Sequence, residues 1–398
     1  MSYQLSTVSI ALIGVFMTGS ALAADMGASP GSIFEPKAIK AGVFEVMPWI
    51  GLAVGRNDNV GSNNAVKTKT TVTSITPNVV IGLPTQGQMY ALKYAGNYTQ
   101  FASSKTDNFN DHNFEAYADN VWTTRFNSLV NLDYIKGHDS RNAVMFRNKE
   151  LWHTTGLKAM GHYGGEGAIG QFELEAGQVA KRYDSNNSGA THFYDHDRNN
   201  VKGTFFYRIA PATQMFVEAG STKFNYQVPS VRPLDSTEQR YMAGVKWQAT
   251  AKTTGSAKIG TLKKSFNSAL RQNGTGTVWD IDVTWQPKPY SKFDASLHQT
   301  AREDGSVGGY MISQDSDFRW SHDWSGFVSS TLSLGDGVDK FQNGVRTDKR
   351  QTYSLKGNYA FRSWLRAGLE YKNTKRNSTD ALWSYTQGVT MLTLEGSL

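Results

Sequence analysis

Cysteine is absent from all 398 residues, so no disulfide framework can hold this chain together. Beyond the N-terminus there is also no run of about 18 apolar residues, which excludes a membrane protein built from helices. Catalytic signatures are missing too. No P-loop or His-Glu-x-x-His occurs, the Gly27-Ala28-Ser29-Pro30-Gly31 match to Gly-x-Ser-x-Gly lies ahead of the first strand-like segment, and no serine or aspartate on a strand face has an evident histidine partner. Neither enzymatic chemistry nor a cofactor is expected. The first nine residues lack Lys and Arg, which leaves the α-amino group as their only positive charge.

That uncharged start precedes an apolar segment, Ile10–Met17, of signal-peptide length and too short to span a bilayer as a helix. Ala21-Leu22-Ala23 then offers a small-x-small cleavage pattern. The expected organisation is a leader at 1–23, a periplasmic tail at 24–42 and a single domain at 43–398.

That domain is built from segments that are aromatic or aliphatic at every second position. Tyr241, Ala243, Val245 and Trp247 alternate with Met242, Gly244, Lys246 and Gln248, and Trp279, Ile281, Val283 and Trp285 alternate with Asp280, Asp282 and Thr284. A strand's side chains point to opposite faces in turn, so one face suits lipid and the other water. Tyr90, Leu92, Tyr94, Gly96 and Tyr98 repeat the pattern with aromatics at both ends, as the interfacial girdles of a membrane require. Eight steps of about 3.3 Å give roughly 27 Å of strand, or about 20 Å along the membrane normal at a tilt near 40°. This matches the apolar band of a transmembrane β-barrel. A mean hydropathy of −0.46 is compatible with it, because lumen, loops and turns are polar.

About eighteen such segments follow from Gly42 to the C-terminus, and their connections alternate between short and long. Pro84-Thr85-Gln86-Gly87, Ala210-Pro211-Ala212 and Trp324-Ser325 are hairpin turns, whereas 57–67, 184–198, 267–275, 304–312 and 336–349 read as long polar loops. The expected fold is therefore all-β: an antiparallel up-and-down barrel of the Gram-negative outer membrane, with short turns and both termini periplasmic.

Residues out of phase with the lipid face are the pore-lining candidates. In chain order they are Lys93, Lys158, Arg208, Glu218, Arg240, Lys246, Lys258, Asp280, Asp282, Lys292, His298, Arg302, Arg319, Lys356, Arg366, Glu370 and Lys372, with Asp133, Glu173, Glu175, Lys202 and Asp294 among their neighbours. Charges of opposite sign on adjacent strands form cross-strand pairs worth a few tenths to about 1 kcal/mol each, and such a lattice orders a polar lumen unaided. The alternative is a basic track for an anionic polymer, suggested by cations after residue 300 without evident acids. Phe206 and Phe216, out of phase with Tyr207 and Val217, are candidates for stacking on sugar rings, or else mark a bulge. Net charge is mildly basic, 41 Lys plus Arg against 34 Asp plus Glu, which hints at an acidic partner. Nucleic acid is not expected as one.

Two loop clusters contain metal-ligand residue types. His192, Asp195, His196 and Asp197 lie close together in sequence, and Asp336 and Asp339 have a faint calcium-loop spacing. Neither fits a ligand set, the first having no helix to fix it and the second no terminal Glu, so no metal is assigned.

Two strand-to-loop corners, Gly55-Arg56-Asn57-Asp58-Asn59-Val60 and Tyr134-Ile135-Lys136-Gly137-His138-Asp139-Ser140-Arg141, together with about eighteen strands behind a leader, resemble the β-barrel porins of exopolysaccharide gene clusters. The resemblance implies a passive conduit for secreted polysaccharide, embedded in outer-membrane lipid, with a periplasmic polysaccharide-export partner and no catalytic residues. The closing strand, Tyr385–Leu398, departs from it by ending in Leu and by interrupting its apolar series at Glu395 and Gly396. The rival reading is a general or sugar-selective diffusion porin. A long loop folded into the lumen would favour that rival, and 184–198 is the best candidate for such a loop.

Overall fold

The computed structural model describes residues 34, 37–143, 146–165, 167–189, 191–228, 233–250, 252–303, 309–342 and 346–397. The leader at 1–23 and its cleavage site lie outside them. A three-residue strand, β1 (Ile39–Ala41), turns at Gly42 onto the start of β2 (Phe44–Asn57). Then come β3 (Thr70–Thr85), β4 (Gln88–Phe101), β5 (Phe109–Val121), β6 (Phe126–Asp139), β7 (Glu150–Tyr163) and β8 (Gly170–Tyr183). The ring continues through β9 (His196–Ala210), β10 (Thr213–Tyr226), β11 (Ser236–Thr250), β12 (Thr253–Phe266), β13 (Gly274–Lys288) and β14 (Ser291–Glu303). It ends with β15 (Tyr310–Asp323), β16 (Val328–Phe341), β17 (Thr347–Arg362), β18 (Leu365–Ser378) and β19 (Tyr385–Ser397). Each of β2–β19 pairs antiparallel with the next, and β19 pairs back onto β2, so eighteen strands close a barrel with no free edge.

Alternation in the sequence becomes inside and outside. Leu92, Val217, Ile259, Leu355 and Leu369 stand exposed on the outer surface, while the residues flanking them in sequence point inward. An isolated water-soluble protein would bury such side chains, whereas a barrel presents them to lipid. On β13 the outward set is Trp279, Ile281, Val283 and Trp285, and Asp280, Asp282 and Thr284 face the lumen. Turns at one end are tight: Gly87 adopts φ +80 between β3 and β4, a left-handed conformation that glycine takes without strain. The long loops all lie at the other end, which the outer-membrane orientation makes extracellular.

Several expected boundaries shift. The region 336–349, read as a loop, is mostly strand, because β16 runs to Phe341 and β17 starts at Thr347. Its alternation is masked by polar residues, since the strands rise past the lipid into water where no apolar phase is required. Within the expected tail, β1 is stitched to the barrel, and Phe34 is buried against Trp49 and Ala360 with the Arg366 guanidinium 4.4 Å from its ring. The expected interruption at Glu395 is also absent as a defect. Glu395 points inward, and its carboxylate is shared by Lys356 Nζ at 3.1 Å and by Arg366.

Candidate functional site

All seventeen pore-lining candidates fall on the inward phase of their strands, opposite the lipid-facing side chains. Antiparallel register then sets which charges meet. Glu175, Lys202 and Glu218 sit on β8, β9 and β10, with Lys202 Nζ 3.4 Å from Glu175 and 4.0 Å from Glu218. Lys258 on β12 bridges onward, 3.4 Å from Glu218 and 3.7 Å from Asp280 on β13. His298 on β14 stands opposite, its ring nitrogens 3.3 Å from Asp280 and 3.6 Å from Asp282. A belt of alternating sign thus runs hoop-wise across seven strands. Lys93 with Glu115 at 3.6 Å, and Lys292 with Asp294 at 3.1 Å, are shorter pieces of the same lattice.

The cations after residue 300 are not an unmatched track. Arg302 and Arg350 both hold Asp315, at 2.7 and 2.6 Å, Arg350 also holds Asp339 at 2.7 Å, and Lys356 and Arg366 share Glu395. Their acids sit one or two strands away, where proximity along the chain gives no sign of them. Arg240 pairs with Glu238 at 2.6 Å. Among the described residues Lys158, Arg208, Lys246 and Lys372 form no ion pair within 4 Å, and of these Lys246 stands exposed.

Phe206 and Phe216 do point inward, with ring centroids 5.6 Å apart. Phe216 is buried and lies over Gly244, where an added Cβ would stand 2.7 Å from the ring. It backs Phe206 and leaves no open face of its own for a sugar.

Among the described residues, neither loop cluster brings its candidate ligand atoms together. His192 packs on Phe193, Asp195 accepts a hydrogen bond from Tyr183 N at 2.8 Å, His196 Nδ1 lies 2.8 Å from Tyr194 O, and Asp197 takes Arg182 at 2.6 Å. Asp336 and Asp339 lie on opposite faces of β16, since their spacing of three reverses the phase of a strand. Among the described residues, the grouping whose potential ligand atoms lie within 4.8 Å of one another is Asp280, Asp282 and His298. Lys258 already supplies positive charge beside Asp280.

The loop whose described residues reach partners across the mouth is not 184–198 but 140–149, between β6 and β7. Loop 184–195 stays over its own root, with Ser185 Oγ and Asn187 N donating to Glu150 at 2.7 and 3.0 Å. Loop 140–149 crosses the mouth. Arg141 Nε donates to Asp107 at 2.6 Å, and Asn142 Nδ2 donates to Ser62 O at 2.7 Å. Beyond them the inward-facing Arg376 of β18 donates to Asn142 O, and at 3.3 Å to Ala143 O. Phe146 is buried against Tyr183 and Tyr194, with centroids 5.3 and 5.5 Å away. Trp383 completes the clasp. The guanidiniums of Arg147, Arg346 and Arg376 lie 5.6, 4.2 and 5.6 Å from its ring, and Arg376 Nε donates to Trp383 O at 2.7 Å. Burial pushes the Lys149 ammonium below the ordinary lysine range, against the pull of Asp107 and Asp111. The sequence signal for this loop is the apolar run Ala143-Val144-Met145-Phe146 between polar flanks.

Comparison with known proteins agrees with this architecture. Residues 32–397 match the family described as "Putative beta-barrel porin 2". Among solved structures, OccK9 (OpdG) of Pseudomonas aeruginosa is similar at 11% identity and TM-score 0.50, over 89% of this chain and 98% of that one. OccAB4 of Acinetobacter baumannii is similar at 12% identity and TM-score 0.50, over 90% and 99%. At such identity the likeness is one of fold. No curated protein matches.

Proposed function

Because the chain belongs to the β-barrel porin 2 family and is an outer-membrane porin, we propose that it is a passive diffusion porin for small hydrophilic solutes, narrowed by loop 140–149. The observation that carries this reading is the attachment of Asn142 and Ala143 to Arg376 across the mouth. A conduit for a secreted polysaccharide needs an open bore and loops free to move aside, so the exopolysaccharide reading, with its periplasmic export partner, ranks second. The lumen charges support the same order. A belt that alternates sign holds water and small polar solutes, whereas an anionic polymer would meet Asp280, Asp282 and Asp315 as often as Lys258 and Arg350.

In this reading the inward residues from Lys93 to Lys372 line the pore, 1–23 is a cleaved leader, and 24–42 is a tail whose end is fastened at Phe34. The barrel supplies shape and fixed charge and does no chemistry. Swelling of proteoliposomes tests the proposal: monosaccharides and disaccharides should enter quickly, with rates falling steeply as the sugar lengthens. Passage of long polysaccharide at comparable rates, or polymer trapped in the envelope of a deletion strain, would reinstate the conduit.

A further inference from the structure

The lumen's ion pairs leave a question about the surplus of positive charge, and part of the answer lies on the outside of the barrel. On β16, β17, β18 and β2, and at the residue that leads into β3, the outward phase ends at its extracellular side in five exposed cations: Lys340, Lys349, Lys375, Arg56 and Lys69. Their phase is fixed by their neighbours, since Phe341, Asp348, Arg376, Asn57 and Thr70 are buried on the inward side. None of the five appears in an ion pair among the described residues. The outward acids here are Asp336, which accepts a hydrogen bond from Gln351 at 3.4 Å, and Asp58, just past the end of β2, which accepts one from Gly388 N at 2.7 Å.

Height along the membrane normal follows from the aromatic girdle. Tyr353 and Tyr371 face outward on β17 and β18 with ring centroids 6.1 Å apart, and tyrosines so placed mark the edge of the hydrocarbon. Lys349 and Lys375 stand four residues further out, about 13 Å along the strand or about 10 Å along the normal at a tilt near 40°. That is headgroup height. Register groups the cations as well. Lys340 lies opposite Thr347, two residues from Lys349, and Lys349 lies opposite Asn377, two residues from Lys375, so the three form a diagonal of neighbours about 7 to 8 Å apart. Arg56 lies opposite Thr71, two residues from Lys69, in a second group. Between the groups β19 presents Thr386 and Thr390, short polar positions, with Gly388 between them covered by the Asp58 carboxylate, which accepts from Gly388 N at 2.7 Å.

We propose that this arc is a binding surface for the phosphorylated glycolipid of the outer leaflet, its phosphates held by the two cation groups and its acyl chains against Leu369, Leu392 and Val54. Spacing, exposure, an excess of cations over acids and level above the girdle together define it. A cation near an anionic membrane surface is worth about fivefold in affinity, so neutralising five of them should weaken binding at least about tenfold.

The test uses the full chain in detergent, with purified lipopolysaccharide as probe, intact or with its lipid phosphates removed, and bound glycolipid counted by native mass spectrometry. The unmodified protein should retain the phosphorylated form and largely lose the dephosphorylated one. A variant carrying Arg56→Gln, Lys69→Gln, Lys340→Gln, Lys349→Gln and Lys375→Gln should lose the phosphorylated form, while its heat-modifiable gel mobility and channel conductance show an intact barrel. Lys223→Gln with Lys263→Gln, outward cations on β10 and β12, should leave retention unchanged. Equal retention by the five-site variant, equal retention of dephosphorylated glycolipid, or equal loss in the Lys223 and Lys263 variant would each overturn the proposal. So would normal glycolipid retention together with loss of binding to a soluble acidic polysaccharide, which would give the surface to a polymer instead.

Discussion

Arg376 of β18 holds the main-chain oxygen of Asn142, a residue on a loop that starts from β6, six strands away around the ring. A single guanidinium therefore fastens a strap across the extracellular mouth, with Trp383 and Tyr385 covering its face.

Cutting that strap should widen the channel. Each hydrogen bond from a charged donor contributes about 1.5 to 3 kcal/mol, so Arg376→Ala should shift the loop's opening equilibrium by more than about tenfold. Single-channel recordings in planar bilayers should show larger and noisier conductance, and swelling assays should admit longer oligosaccharides. Unchanged conductance would mean that the strap does not narrow the path.

The phase of β13 makes a second prediction. Arginine at Val283 would face lipid near the middle of the membrane and cost about 2 to 4 kcal/mol, whereas Thr284→Arg faces water beside Asp294, to which Thr284 Oγ1 now donates at 2.6 Å. Folding titrations into lipid vesicles should separate the two variants clearly. Equal stability would contradict the register.

Glu395 should be the most costly lumen carboxylate to remove. It is buried and serves both Lys356 and Arg366, so Glu395→Gln leaves two cations short of a partner, at about 3 kcal/mol or more. Glu370→Gln, on the same wall outside that cluster, should cost under about 1 kcal/mol. Urea unfolding from vesicles would read the difference.

Gly55 should tolerate no side chain. A Cβ there would lie 1.9 Å from Thr390 O and 2.5 Å from Met391 Sδ on the facing strand, so Gly55→Ala must push β2 from β19 and should cost about 1 to 3 kcal/mol. Gly357, with nothing within 4 Å of an added Cβ, should accept alanine. The fraction of heat-modifiable, folded barrel after refolding would show the contrast.

What could be read without coordinates follows from range. Strand phase is local, so Val283, Asp280 and Lys258 could be assigned to lipid or lumen from a few neighbouring letters. Alternating connection lengths likewise disclosed the ring of eighteen. Pairing across strands is not local: Asp315 joins Arg350, 35 residues on, and its absence from the nearby letters made the later cations look unmatched. Loop 140–149 failed for the same reason. Its run Ala143-Val144-Met145-Phe146 is apolar, but its partners Ser62 and Arg376 lie 80 and 234 residues away, so nothing nearby in sequence shows where the loop is fastened.

Glu395 has a further consequence for how the ring shuts. β19 meets β2 through a register in which Glu395 faces Gly51 and Leu394 faces Leu52. Sliding β19 by one residue would exchange its faces, sending the carboxylate into hydrocarbon and stranding Lys356 and Arg366. Misregistered closure is therefore penalised electrostatically as well as by lost apolar contact. The seam, where two ends distant in the chain must find each other, proofreads its own alignment.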